Sequence, residues 1–111
     1  MNSQGKSIKE LANSPDKLAS YKLPKPELFT FENGGEEINA RLIKPQNFDP
    51  DKKYPLLLYV YNGPGVQLIQ NRYLGGASLW MYYFAQQEFM VLTIDGRGSN
   101  NSGRDFEQAT F

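Results

Sequence analysis

A tyrosine stands at the end of the most apolar stretch of this sequence, where a strand is expected to give way to a turn. The stretch reads LLLYVYNGPG, residues 56–65, and the last ring before the glycines belongs to Tyr61. A phenol hydroxyl at the end of a strand can donate a hydrogen bond to a bound molecule. Most tyrosines, however, pack the ring and leave the hydroxyl in water. From the residues alone, both interpretations of Tyr61 stay open.

A second loop with chemically capable side chains follows the apolar stretch FMVLTID. It reads DGRGSNNSG, beginning at Asp95, with Arg97 two residues later. In such a loop a carboxylate commonly accepts hydrogen bonds from turn amides, and a guanidinium commonly anchors the loop through hydrogen bonds. We therefore expect Asp95 and Arg97 to stabilise their loop, with direct substrate contact by Arg97 as the alternative. The glycine spacing fits neither common nucleotide fingerprint, so tight turns explain it better than a phosphate site.

The composition excludes several functional classes for this chain acting alone. Twelve basic and twelve acidic residues cancel among 111, so no charge excess favours nucleic acid or an anionic membrane. The sequence has no cysteine and no histidine, and therefore lacks thiolates, the usual general base and the commonest metal ligand. We expect no cofactor and no metal. No apolar run is long enough to span a bilayer.

The elements that must position the two loops follow from a change of pattern along the chain. Residues 1–26 are mostly polar, with a possible helix start capped by Ser14. From residue 27 the pattern has a period of two, and two strand-like runs flank Asn33-Gly34-Gly35. This turn sequence favours a β-hairpin, because such turns need positive φ.

The back half of the sequence predicts a strand-helix-strand unit. Residues 56–61 and 89–95 are apolar on both faces, which is typical of strands covered on both sides. Between them, GASLWMYYFAQQ suits a helix entered through Ser78. The predicted fold class is α/β, with an antiparallel hairpin leading into a parallel strand-helix-strand unit. Both glycine-rich loops then lie at the C-terminal ends of parallel strands, where such sheets bind ligands.

Three stretches together resemble a known family. LPKPELFTF, INARLIKPQNFDPDKKYPLLLYVYNGPG and DGRGSNNSGRDF are similar to the start of the catalytic domain in the dipeptidyl peptidase IV branch of the prolyl oligopeptidase family. The tyrosine-x-glycine-proline and aspartate-x-arginine-glycine turns are specific as a pair, although either alone is weak. The resemblance implies that residues 27–111 are the N-terminal part of an α/β-hydrolase catalytic domain. Residues 1–26 would be a connector from the end of a propeller.

The resemblance also implies a role for Tyr61. In this family the matching tyrosine supplies its hydroxyl to the oxyanion hole, which stabilises the charge on the tetrahedral intermediate. Family members also carry a nucleophile in a G-x-S-x-G elbow, with aspartate and histidine later in the chain, and this sequence has no such elbow and no histidine. Glu88 is a smaller departure, because it stands where the family usually has the glycine that ends the helix. The implied function is a fragment of a serine exopeptidase that releases N-terminal dipeptides, inactive by itself.

Two functions remain open. The first is a piece of a dipeptidyl peptidase whose partner is the peptide substrate of the full-length parent, and the second is a truncated, non-catalytic module that acts by protein association. The resemblance places the strand at 56–61 in the middle of the parent sheet, so we expect its free outer edge to form a homo-oligomer. No nucleic-acid partner and no membrane segment are expected. The compartment stays open, with an exported parent, periplasmic or at the cell surface, as one option.

Overall fold

The described part of the chain is built around one mixed four-stranded sheet. The structure is a computed structural model that describes Ser7 and residues 13–110. Its strands are β1 (Glu27–Asn33), β2 (Glu36–Ile43), β3 (Leu56–Val60) and β4 (Met90–Asp95), in the spatial order β1-β2-β4-β3. β2 is antiparallel to β1 and to β4, whereas β3 and β4 are parallel. The mixed sheet predicted from the sequence is therefore confirmed.

The hairpin turn forms where its sequence predicts it. Asn33 pairs with Glu36, and between them Gly34 and Gly35 have φ values of 63° and 84°. A two-residue turn with positive φ at both positions matches the right-handed twist of the flanking strands. The turn thereby fixes the register of β1 on β2, and with it the face on which each β2 side chain lies.

One helix connects the two parallel strands. Helix α1 (Leu79–Gln86) lies between β3 and β4 in the chain, and Ser78 is its N-cap residue, as predicted, although the serine side chain makes no capping hydrogen bond. A single-turn helix, α2 (Arg104–Glu107), follows β4. Short 3-10 segments are Ala19–Tyr21, Tyr73–Gly76 and Gln108–Thr110. None of the helices found in residues 13–110 has the length and hydropathy needed to cross a membrane.

The helix start predicted at Ser14 is wrong. The first helical segment is the 3-10 turn Ala19–Tyr21, whose N-cap residue Leu18 makes no side-chain capping hydrogen bond. Ahead of it, Oδ1 of Asp16 accepts a hydrogen bond from the Leu18 amide at 2.9 Å. A short polar side chain that bonds its own backbone competes with helix formation in this way. The remaining part of the predicted connector, residues 1–6 and 8–12, lies outside the described residues.

The core lies between α1 and one face of the sheet. Its buried cluster consists of Ile43, Met81, Tyr82, Ala85 and Val91. Complete burial of a large apolar side chain contributes about 1.5–3 kcal/mol. Strand alternation places Arg41 and Thr93, which are paired across β2 and β4, on this same covered face. The helix therefore covers a charged residue together with the apolar ones.

The opposite face of the sheet is partly open, which corrects one prediction. The sequence predicts that the strand at 56–61 is covered on both faces, but Leu56, Leu58 and Val60 are 55%, 54% and 45% exposed. The apolar pattern shows that both faces suit burial without showing what would cover them, so the prediction is wrong for the described residues. β3 pairs with β4 alone, and its outer edge has no strand partner within residues 13–110.

Candidate functional site

Tyr61 is the first residue beyond β3, at the C-terminal edge of the sheet. Its side chain is 60% exposed. The ring lies against the backbone of Gly63, where an added Cβ would overlap the ring carbons. Glycine at this position therefore lets the turn fold back onto the phenol. The arrangement leaves Tyr61 accessible at the end of the strand, with its ring resting on the turn.

Asn62 joins the turn after β3 to the turn after β4. It has a left-handed φ of 48°, and its Oδ1 accepts a hydrogen bond from the Gly96 amide at 2.9 Å. Asparagine adopts this conformation more readily than most residues. Asn62 is not among the site residues that the sequence singles out. The available signal was its place in an Asn-Gly step directly after a strand.

Asp95, the last residue of β4, holds a different loop from the one expected. Its side chain is buried, and the two carboxylate oxygens accept hydrogen bonds from the amides of Leu68 and Ile69 at 3.0 and 2.9 Å. A buried carboxylate requires such donors. The sequence predicts contacts within its own turn, whereas these amides belong to the segment that follows the Tyr61 turn. Asp95 therefore connects the end of β4 to that segment.

Arg97 lies on the surface. Its Nη2 is 3.3 Å from Oε1 of Glu36, at the start of β2. Exposed ion pairs of this kind contribute roughly 0–1 kcal/mol. The structure thus brings Tyr61 and Asp95 to the same edge of the sheet, with Arg97 on the rim. What each residue does for a substrate stays a prediction.

An open depression of about 850 Å³ lies next to this edge. Its apolar lining comes from the open face of the sheet, and polar groups of the strand-end turns complete it. The apolar side chains of the lining include Phe31, Ile38, Val60 and Ile94, and the polar ones include Asn62 and Arg97. Tyr61 is not part of this lining. The depression therefore borders the Tyr61 turn through Asn62.

Arg41 is the buried cation of this region. It is 1% exposed, and its Nη1 donates hydrogen bonds to the carbonyl oxygens of Leu68 at 3.2 Å and Gly75 at 2.7 Å. Its Nη2 donates to Oγ1 of Thr93 at 2.9 Å and to the sulfur of Met81 at 3.3 Å. The sequence does not single out Arg41, because its burial depends on the packing of α1 against β2.

The burial of Arg41 has an electrostatic consequence. Burial lowers the pKa of its guanidinium, while the neighbouring Tyr82 and Asp95 act in the opposite direction. Arginine keeps its proton in proteins even so. The interior next to the Tyr61 edge therefore holds a cation from β2 and the Asp95 carboxylate from β4.

The donor set for a metal is absent from the described region. Among residues 13–110, no three carboxylate, imidazole or thiol side chains are grouped closely enough to hold an ion. The expectation that the chain needs no cofactor stays a prediction.

Sequence comparisons identify relatives over most of this chain. No protein-family model matches it. Dipeptidyl peptidase 8 of Homo sapiens is 41% identical over 85 residues, which cover 76% of this chain and 10% of that protein. Prolyl endopeptidase FAP of Mus musculus is 38% identical over 104 residues, which cover 93% of this chain and 13% of that protein.

Solved structures give the same result. A Bacteroides ovatus protein assigned to dipeptidyl aminopeptidase IV superposes with a TM-score of 0.85 at 41% identity, covering 91% of this chain and 15% of that one. Dipeptidyl peptidase 4 of Porphyromonas gingivalis superposes with a TM-score of 0.69 at 32% identity, covering 78% of this chain and 12% of that one.

Over most of its length the chain is therefore homologous to peptidases of the prolyl oligopeptidase family. Within that family its homologues are dipeptidyl peptidases 4 and 8 and prolyl endopeptidase FAP, which confirms the resemblance found in the sequence. The chain spans between 10% and 15% of the length of these relatives.

Proposed function

We propose that this chain is part of a serine exopeptidase that removes dipeptides from the N-termini of peptides. Residues 27–111 form the N-terminal part of its α/β-hydrolase catalytic domain, and residues 1–26 form the connector from a propeller. The observation that carries the proposal is the accessible Tyr61 at the C-terminal end of β3, in a segment homologous to dipeptidyl peptidases. This strand end is where α/β sheets place their ligands.

In this proposal Tyr61 is an oxyanion donor. Its hydroxyl donates a hydrogen bond to the scissile carbonyl oxygen as that oxygen becomes negatively charged. A donor fixed before the reaction needs no reorganisation in the transition state, and such donors contribute roughly 3–4 kcal/mol in studied proteases. The hydrogen bond between Asn62 and Gly96 supports this role, because it fixes the turn that carries the phenol.

Asp95 and Arg97 serve the same site indirectly in this proposal. Asp95 stabilises the segment after the Tyr61 turn through its two amide contacts. Arg97 joins the loop after β4 to the hairpin through Glu36. Neither residue is assigned a chemical step.

The nucleophile and its base must come from outside this chain. The sequence contains no G-x-S-x-G elbow and no histidine, so the chain alone should not hydrolyse a glycyl-prolyl chromogenic reporter. Incubation of the homogeneous 111-residue chain with this reporter tests the expectation. Turnover that is blocked by a fluorophosphonate would contradict it, since that reagent reports an activated serine.

The substrate class is tested in a protein that contains this chain and has the length of the relatives. We expect it to release the dipeptide from a reporter with a free amino terminus and to leave the N-acetylated reporter intact. Equal cleavage of the acetylated reporter would indicate an endopeptidase and would contradict the proposed exopeptidase. Failure to cleave either reporter would refute the proposed peptidase.

A second candidate function is a non-catalytic module that acts by association. The open apolar face of the sheet and the free edge of β3 favour it. The parent reading frame separates the two functions. A G-x-S-x-G elbow followed by aspartate and histidine supports the peptidase, and their absence from the complete frame supports the module.

A further inference from the structure

One short segment of the chain is held from opposite sides by two buried charges. Asp95 accepts hydrogen bonds from the amides of Leu68 and Ile69, and Arg41 donates one to the carbonyl oxygen of Leu68. Both side chains are at most 4% exposed. Hydrogen bonds to charged groups are stronger than those between neutral groups. The Leu68–Ile69 backbone is therefore fixed by side chains of β2 and β4.

The same guanidinium also holds the far end of this loop. Nη1 of Arg41 donates to the Gly75 carbonyl at 2.7 Å. Leu74, Gly75 and Gly76 are consecutive residues with positive φ, a conformation that L side chains adopt at a cost. At Gly76 a Cβ would lie 2.8 Å from the Leu68 carbonyl oxygen, so the two ends of the loop meet tightly. Arg41 thereby joins both ends of the 68–75 segment.

The contacts of Arg41 favour a positioning role over general stability. Four contacts engage its two terminal nitrogens, whereas its buried Nε has no partner among residues 13–110. An unsatisfied buried donor is destabilising, and apolar residues often replace buried charges without loss of stability. A methionine could fill this space more simply. What it could not supply is the pair of hydrogen bonds to the Leu68 and Gly75 carbonyls.

Tyr61 is joined to this loop by a short turn that contains two glycines. Gly63 and Gly65 lie between Tyr61 and the loop, and glycine has more backbone freedom than any other residue. At one end the turn is fixed by β3 and by the Asn62 contact with Gly96. Its other end leads through Val66 and Gln67, which contact Asn100 and Asn101, into the segment that Arg41 and Asp95 hold. Fixing both ends of the turn limits the backbone conformations that are available to Tyr61.

We propose that Arg41 is a positioning residue, which fixes the 68–75 loop together with Asp95 and through it the orientation of the Tyr61 phenol. The effect on catalysis rests on the proposed peptidase function. The effect on the loop does not, because it is a property of this chain.

The test on this chain uses Arg41→Met, with Thr93→Val as the matched control. The control removes the Thr93 hydroxyl, which accepts a hydrogen bond from the same guanidinium, and leaves the hydrogen bonds to the Leu68 and Gly75 carbonyls in place. We expect Arg41→Met to accelerate amide hydrogen exchange at Leu68 and Ile69 about tenfold or more. Exchange within β4 should stay unchanged in both variants.

A second readout follows the phenol itself. The α-protons of Gly63 lie against the Tyr61 ring and should carry a ring-current shift in the NMR spectrum. In Arg41→Met this shift should fall toward the random-coil value, while Thr93→Val keeps it. The proposal is overturned if folded Arg41→Met retains either the wild-type exchange or the wild-type shift, or if the control changes them equally. If Arg41→Met does not fold, Arg41→Lys is judged by the same criteria, since lysine keeps the positive charge but lacks the two terminal nitrogens of the guanidinium.

A double-mutant cycle in the longer peptidase tests the catalytic part. Arg41→Met should lower kcat with little change in KM, and should have no further effect in a Tyr61→Phe background. An equal loss of kcat in both backgrounds would refute positioning of Tyr61 while leaving the peptidase function intact. Absence of any peptidase activity would refute the proposed function instead, and the exchange and shift measurements would still decide the role of Arg41.

Discussion

At the scale of single residues, Glu88 occupies a backbone conformation that usually belongs to glycine. Its φ is 62°, just beyond the end of α1. The Glu88 amide donates to the Ala85 carbonyl at 3.2 Å, and the Phe89 amide donates to the Phe84 carbonyl at 3.1 Å. These are the two hydrogen bonds of a Schellman cap. The Phe84 and Phe89 rings pack edge to face with centroids 5.5 Å apart, which supplies the apolar contact of that motif.

We expect Glu88→Gly to stabilise the chain by about 0.5–1 kcal/mol. Glycine removes the strain of the left-handed conformation, and the greater entropy that it gives the unfolded chain cancels only part of this gain. Urea unfolding measures the change as a higher midpoint at an unchanged slope. Gln86→Gly is the control: it places glycine at the last residue of the same helix and should destabilise by up to about 1 kcal/mol. A lower midpoint for Glu88→Gly would show that the glutamate is not strained.

At the scale of elements, local signals predicted the structure well where a turn sequence or an apolar run decides it. The Asn33-Gly34-Gly35 turn specifies the hairpin, and the apolar runs specify β3 and β4. Which face of the sheet is covered could not be predicted in the same way. The alternation of side chains shows that the two faces of the sheet differ, but not which of them α1 covers. This is why the burial of Arg41 and the exposure of Leu58 both differ from the sequence pattern.

The free edge of β3 makes an assembly of two copies our next prediction. β3 contains no charged residue, whereas the other edge strand, β1, carries Glu27 and Glu32, which oppose edge pairing. The net charge of zero also adds no long-range repulsion between copies. We therefore propose a homodimer in which β3 pairs with β3 of a second copy around a two-fold axis.

Light scattering on the chromatographed chain should report the mass of a dimer, and Leu58→Lys should give a monomer because a lysine blunts the edge. Phe31→Lys is the matched control, since it puts the same charge on the same open face at β1 and should leave the dimer intact. A wild-type monomer with protected β3 amides, or a dimer that Leu58→Lys does not weaken, would contradict this interface.

At the scale of the whole molecule, the candidate site was only partly predictable from the sequence. The end of an apolar run is enough to place Tyr61 at the edge of the sheet. The contacts that fix its surroundings join residues far apart in the chain: Arg41 meets the Leu68 carbonyl 27 residues away and the Thr93 hydroxyl 52 residues away. Such pairs depend on tertiary packing, and no local propensity encodes them.

The chain is homologous to a small part of peptidases that are much longer than it is. The chain spans 10–15% of its relatives, yet superposes on one of them with a TM-score of 0.85. Its sheet therefore has the geometry of the corresponding part of a dipeptidyl aminopeptidase IV. We propose that this geometry presents Tyr61 to the transition state of peptide hydrolysis.

This role of Tyr61 is tested by the turnover number of Tyr61→Phe, measured in a protein that contains this chain and has the length of the relatives. Removing one hydroxyl preserves the ring and its packing on Gly63. We predict that kcat for a glycyl-prolyl reporter falls by about 10²–10³ while KM changes little, because the hydroxyl acts mainly on the developing oxyanion. An unchanged kcat would contradict the claim and would leave Tyr61 as a packed tyrosine at the end of a strand.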